Sequence, residues 1–156
     1  MLQIKKITAK EKIIMDNYSK IEEIAKKYEI GLIYLFGSQK DNAKKIIDGK
    51  KVRIDDTLTD IDIGVVFAFD LLQEEKRYKL YALLYNELED IFLPYKLDLV
   101  FLQEQHSVFQ AEAIMGYCIY SQSEEFKDLY EEDILKRAAD FKYVLDKYYE
   151  ERLEEL

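Results

Sequence analysis

The chain has 156 residues, 49% of them apolar and 35% charged, and a formal net charge of −9. That length suits one domain over residues 1–156, and that composition suits a soluble globular fold burying roughly 70% of its unfolded surface. The acidic balance disfavours long nucleic acid as a partner, apolar runs of strand length disfavour a membrane or a secretory leader, and the single cysteine, Cys118, excludes an internal disulfide and suits the cytoplasm.

Taken in chain order, Thr8-Ala9-Lys10-Glu11 is a capping-box pattern, and Ile13, Ile14, Ile21, Ile24 and Ala25 repeat at helical spacing up to Tyr28. Gly31 reads as the stop after that helix. Leu32 to Phe36 is an apolar run of strand length, and it ends in the turn Gly37-Ser38. Ser38 to Ile47 reads as a short helix whose free N–H groups suit a triphosphate. Lys44 to Ile54 contains Asp48-Gly49, a hairpin signal between short runs capable of forming strands.

Thr59 to Phe69 alternates as a strand with Ile61, Ile63 and Val65 on one face. Asp60 and Asp62 share the other face, because residues two apart on a strand point the same way. Asp70 caps a helix running to about Leu93, with Leu72, Tyr81, Leu84, Tyr85, Leu88 and Ile91 as its buried stripe; Pro94 ends it. A strand carrying Asp98 follows, over Lys96 to Leu102. Ser107 to Met115 is a short helix, Gly116 its stop, and Tyr117 to Tyr120 a strand. The last helix runs from about 123 to 153 through Leu129, Ile134, Leu135, Ala138, Phe141, Leu145 and Tyr148. The whole is an α/β (α+β) pattern, a small mixed β-sheet flanked by helices.

The chemistry lies in three of these pieces. With 14 aspartates in the chain, one Asp-x-Asp is expected by chance, so the spacing alone is weak. Its surroundings carry more. No Lys or Arg shares the stripe of Asp60, Asp62 and Gly64, so two ionised carboxylates there call for a cation or strong donors. Two parallel carboxylates joined by a third, Asp98, make an oxygen-rich pocket for a divalent metal, and a Gly-Ser turn beside it can hold phosphate. That is a nucleotidyl-transfer site in outline. The basic run Lys40, Lys44, Lys45, Lys50, Lys51 and Arg53 reads equally well as a solvated insertion or as a phosphate-binding patch. His106, the only histidine, reads as a surface or capping residue, and Cys118 as a buried structural thiol. Of the tyrosines in the last helix (Tyr130, Tyr143, Tyr148, Tyr149), some belong to the core and the remainder to a partner surface.

Gly37-Ser38, then Asp60-x-Asp62, then Asp98 on a later strand resembles the nucleotidyltransferases of the DNA polymerase beta superfamily. The likeness is strongest to the minimal nucleotidyltransferases, many of which are antitoxins paired with HEPN-fold toxins. It runs nearly the length of the chain and takes in Ala111 to Ser121, which resembles the family's helix, Gly turn and short strand. The resemblance implies the polymerase-beta-like nucleotidyltransferase fold and transfer of AMP from ATP to a hydroxyl acceptor on a HEPN-like partner. It implies two Mg²⁺ ions, bridged by Asp60 and Asp62, with Asp98 on the catalytic ion and accepting the hydroxyl's proton. Gly37 and Ser38 would meet the β- and γ-phosphates, with Lys44 and Lys45 as candidate phosphate cations. Two departures stand out. Gln39, Lys40 and Asp41 follow Gly-Ser where the family usually has a short x-Ala-Arg-Gly run, so the family's Arg is missing, and the gap from Ser38 to Asp60 is longer, which implies an insertion over 40–58. Two other readings remain open: a non-catalytic antitoxin that binds its toxin, and an enzyme modifying a small molecule of the aminoglycoside type.

Overall fold

The computed structural model describes residues 6–55 and 59–155, apart from the side chains of 13–15. Helix α1 (Ala9–Lys27) starts where its capping box lies: the Glu11 N–H donates to Thr8 Oγ1 at 3.2 Å and the Thr8 N–H donates to Glu11 Oε2 at 2.9 Å. Both bonds satisfy N–H groups left free by the first turn. Ile21, Ile24 and Ala25 are buried, whereas the side chains of Ile13 and Ile14 lie outside the described residues. The helix does not stop at Gly31. Glu29 makes the left-handed step at φ 53°, and Gly31 lies inside the next strand, where a Cβ would overlap the Phe126 ring. Packing, not helix termination, calls for glycine there.

Four strands follow: β1 (Ile30–Phe36), β2 (Ile61–Phe67), β3 (Leu97–Phe101) and β4 (Tyr117–Ser121), in the order β3-β2-β1-β4. β1 is antiparallel to both β2 and β4, and β2 is parallel to β3. The parallel pair requires a crossover, which helix α3 (Arg77–Phe92) supplies. One face of the sheet packs Ile33, Leu35, Ile63, Val65 and Leu99 against α1, α2 (Lys40–Ile47) and α3. The other packs Leu32, Tyr34 and Val66 against α4 (Ser107–Ile114) and the start of α5 (Glu124–Glu154).

Three further readings of the sequence change. Asp48-Gly49 turns the chain out of α2 rather than joining two strands; Lys44 to Ile47 are helical and 50–55 have no regular structure, while 56–58 lie outside the described residues. Asp70 caps only a single 3₁₀ turn, Leu71–Gln73, before α3 begins at Arg77, and Leu72 is exposed. In α5 only Ile134 is fully buried; Leu129 is 62% exposed, Phe141 41%, Leu145 38% and Tyr148 52%. Helical spacing reports which residues share a face and not what covers it. A side chain also completes the sheet: Gln103 Oε1 accepts from the Phe67 N–H at 2.7 Å, and its Nε2 donates to the carbonyls of Phe67 and Phe69 at 3.2 and 3.1 Å.

Candidate active site

β1 leaves the sheet at Phe36, opposite Asp62 of β2, and Asp62 lies opposite Asp98 of β3. The end of β1 and both aspartates therefore form one row across three strands. Alternation sends Ile61 and Ile63 into the core and leaves Asp60 and Asp62 on the opposite face. Gly37 bends away at φ 77°, a conformation that glycine adopts without strain, and a Cβ there would overlap the Asp62 carboxylate. The Gly-Ser turn and the acidic pair, far apart in sequence, are thus in contact.

Asp62 carries the electrostatic strain of this row. Burial, followed by the charge of Asp98, a hydrogen bond shared with Asp98 and the charge of Asp60, pushes its carboxyl from 3.8 up to about 6. Asp62 is half-buried and Asp98 exposed, so the row opens to solvent. Among the described residues, no three acidic, histidine or cysteine side chains close into a ready metal cage. The donor set nevertheless fits magnesium: every donor is a hard oxygen, and the ion usually completes its shell with water and substrate phosphate.

The lysines divide. Lys44 Nζ donates to Asp48 Oδ2 at 2.7 Å and to the Tyr18 hydroxyl at 3.0 Å, bonds that raise its pKa, so its charge is engaged at the far end of α2. Lys45 is exposed on the same helix, and no described contact joins either lysine to Gly37 or Ser38. Lys40, the first residue of α2, is closer to the turn. Its N–H donates to the Gly37 carbonyl at 3.4 Å, and its Nζ sits 5.5 Å from the centre of the Tyr117 ring. The Tyr117 hydroxyl donates to Asp41 Oδ1 at 2.5 Å. Tyr117 and Asp41 were not legible as site neighbours, because only the pairing of β4 with β1 brings them together; the one signal was Gly116, where a Cβ would overlap the Leu35 carbonyl oxygen.

His106 caps α4 as its sequence position suggests, its Nδ1 accepting from the Val108 N–H at 3.2 Å. Cys118 is partly buried; desolvation pushes its thiol up, and the Sγ donates to the Tyr120 carbonyl at 3.3 Å. Tyr130 is packed into the second core and donates to Gln110 Oε1 at 2.7 Å, whereas Tyr143, Tyr148 and Tyr149 are exposed.

The family model described as polymerase beta, nucleotidyltransferase matches residues 19–125, a span holding the Gly-Ser turn and all three aspartates. Among solved structures, a crystal structure of a toxin–antitoxin with AMP-PNP aligns at 20% identity and a TM-score of 0.57, covering 88% of this chain and 98% of the other. A tri-AMPylated Shewanella oneidensis HEPN toxin in complex with MNT antitoxin aligns at 19% and 0.55, covering 90% and 98%. The toxin–antitoxin MntA–HepT aligns at 18% and 0.55, covering 89% and 98%. At such identities the likeness speaks for the fold alone. The comparison with curated proteins gave no match.

Proposed function

Because the chain belongs to the polymerase beta nucleotidyltransferase family, we propose that it transfers AMP from ATP to a hydroxyl of a partner protein, as the antitoxin of a toxin–antitoxin pair. The observation that carries this reading is the row in which Gly37 touches the Asp62 carboxylate and Asp62 faces Asp98. The structural neighbours supply the chemistry to test: one holds AMP-PNP, and another includes a tri-AMPylated HEPN toxin. Among the described residues no helix is long and apolar enough to cross a membrane, in keeping with action in the cytoplasm.

In this proposal Asp60, Asp62 and Asp98 hold two magnesium ions. Bound magnesium supplies positive charge to the triphosphate and to the leaving pyrophosphate. Gly37 lets the backbone approach the β- and γ-phosphates, and the Ser38 hydroxyl and N–H donate to them. Asp98 stands across from Asp62 on the exposed side of the row, where an acceptor hydroxyl can reach it. It takes the hydroxyl proton as the acceptor oxygen bonds to the α-phosphorus and the bond to pyrophosphate breaks. The assignment of Lys44 as a phosphate cation loses support from its bonds to Asp48 and Tyr18, and Lys45 has no contact that argues for it.

A second reading, the binding module, is favoured by one observation: α5 carries Phe141, Leu145 and Tyr148 on an exposed stripe that suits a protein partner. One experiment separates the two. The protein is incubated with ATP labelled at the α-phosphate, Mg²⁺ and the product of the neighbouring reading frame. Label on the partner is expected. No transfer, together with neutralisation of the partner by an Asp60→Asn, Asp62→Asn variant, would replace the transferase by the binding module.

A further inference from the structure

The solvent side of a surface helix ordinarily carries charged and polar residues, and α4 departs from that pattern. Gln110 and Ala113 are buried beneath it, which turns Val108, Glu112 and Met115 outward, with Ala111 half-buried beside them. Val108 is 38% exposed and Met115 67%, so Glu112 is the one charge on an otherwise apolar side. Val108, Ala111 and Met115 recur at i, i+3 and i+7, the spacing with which one helix engages another.

Helix α4 also joins the two places that an acceptor protein has to meet. Its N-cap, His106, packs edge to face with Phe141, 4.3 Å between centroids, where the exposed stripe of α5 begins. Its other end touches β1: a Cβ on Gly116 would overlap the Leu35 carbonyl oxygen, and the Phe109 ring lies edge to face with Phe36 at 5.7 Å. Phe36 stands opposite Asp62 in the acidic row. Eight helical residues span about 12 Å, so the outer ridge of α4 covers the step from the foot of α5's free half to the row. Two turns of helix are too small to hold a partner alone, since a stable interface takes roughly 800 Å² from each side. Joined through Phe141 to Leu145 and Tyr148, the ridge carries one surface from α5 toward Asp98.

We infer that this ridge docks the partner protein that receives AMP, which seats an apolar helix along Val108, Ala111 and Met115 and sets a lysine or arginine against Glu112. The inference rests on the nucleotidyltransferase reading and gives the partner its path to the acidic row. Charge favours this occupant. A second copy of the chain would bring a net charge of −9 against Glu112 and the aspartates beyond it, whereas a partner with basic flanks is drawn to them. Position favours it too: a protein held by the distal half of α5 alone would stand beyond the N-terminal end of α4, and the ridge leads it to the row.

The test compares the unaltered protein with a Val108→Glu, Met115→Glu variant, taking the product of the neighbouring reading frame as partner and ATP labelled at the α-phosphate. The paired variant should weaken the complex by at least about tenfold and slow label transfer at subsaturating partner by a similar factor. Its Mg·ATP affinity and thermal midpoint should match those of the unaltered protein. Val108→Ala, Met115→Ala should shift both partner readouts in the same direction without adding charge, and Glu112→Lys should weaken the complex more at low salt than at high salt. Unchanged complex and transfer in both paired variants would overturn the docking face. So would a dimer of the chain alone that the paired variant dissolves, because the ridge would then belong to a second copy. No label transferred by the unaltered protein would instead refute the transferase reading, and partner binding, measured separately, still decides the ridge.

Discussion

The most heavily loaded residue is Asp62, and its burden depends on pH. Its carboxyl titrates near 6 in the folded protein and near 3.8 when solvated, so the folded form keeps its proton longer than the unfolded chain does. For a group shifted upward, stability falls as pH rises through the interval between the two values and is then flat. We expect the thermal midpoint of the metal-free protein to drop between about pH 4 and pH 6 and that of Asp62→Asn to drop less. Melting curves at pH 4 and pH 7 in EDTA check this; an equal drop in both proteins would show that Asp62 is not the strained group. Asp98→Ala should reduce transfer by at least about 100-fold with little loss of nucleotide affinity, which single-turnover kinetics would resolve. Gly37→Ala should cost about 1–2 kcal/mol in stability for the left-handed backbone alone, and should displace the Asp62 carboxylate as well. The acidic residues were legible because strand alternation and shared face are local properties. The partners of Gly31 and Tyr117 were not, since Phe126 and Asp41 are remote in sequence and meet them only through the sheet.

Elements were legible where local chemistry sets their limits and less so where distant contacts do. Thr8, His106 and Ser123 each cap a helix with a side-chain acceptor, and those three starts follow from the sequence. The hairpin expected at Asp48-Gly49 does not form, because Ala43 and Ile47 are drawn into the core as one face of a helix. The role of Gln103 was invisible: a glutamine just after a strand has many uses, and here it pairs with the backbone of Phe67 and Phe69 in place of a further strand residue. Gln103→Ala would leave these backbone groups short of partners and should cost about 1–3 kcal/mol by chemical denaturation. A change within experimental error would mean that water replaces the side chain at no penalty. On α5, replacing Leu145 and Tyr148 together by serine, with Phe141 kept because its ring packs on His106, should leave the denaturation midpoint nearly unchanged and abolish co-purification with the partner protein proposed above. Retained co-purification would place the partner elsewhere.

At the scale of the whole molecule, the fold class was legible from the order of elements, since one parallel pair among short strands and helices admits few arrangements. What no periodicity could reveal is that α5 has two regimes. Its root is tied to the central strand: the Tyr34 hydroxyl donates to Glu131 at 2.7 Å and the Phe126 ring fills the space above Gly31. Beyond Ile134 the same unbroken helix runs on to Glu154 with mostly exposed side chains, its last contact with the body being the Phe141 ring edge to face on His106, 4.3 Å between centroids. At 31 residues it is a rod about 46 Å long, rooted on the strand that leads into Gly37. On the partner reading, such a rod works as a ruler. A protein gripped at its distal half is held at a set reach and rotation from Asp98, so the hydroxyl that receives AMP is chosen by where it stands on the partner rather than by the sequence around it. Lengthening the ruler by four residues after Ala138 adds about 6 Å and a little over one turn, and should move the modified position on the partner or abolish modification while ATP binding persists. Modification of the same residue at the same rate would mean that the acceptor is recognised at the active site itself.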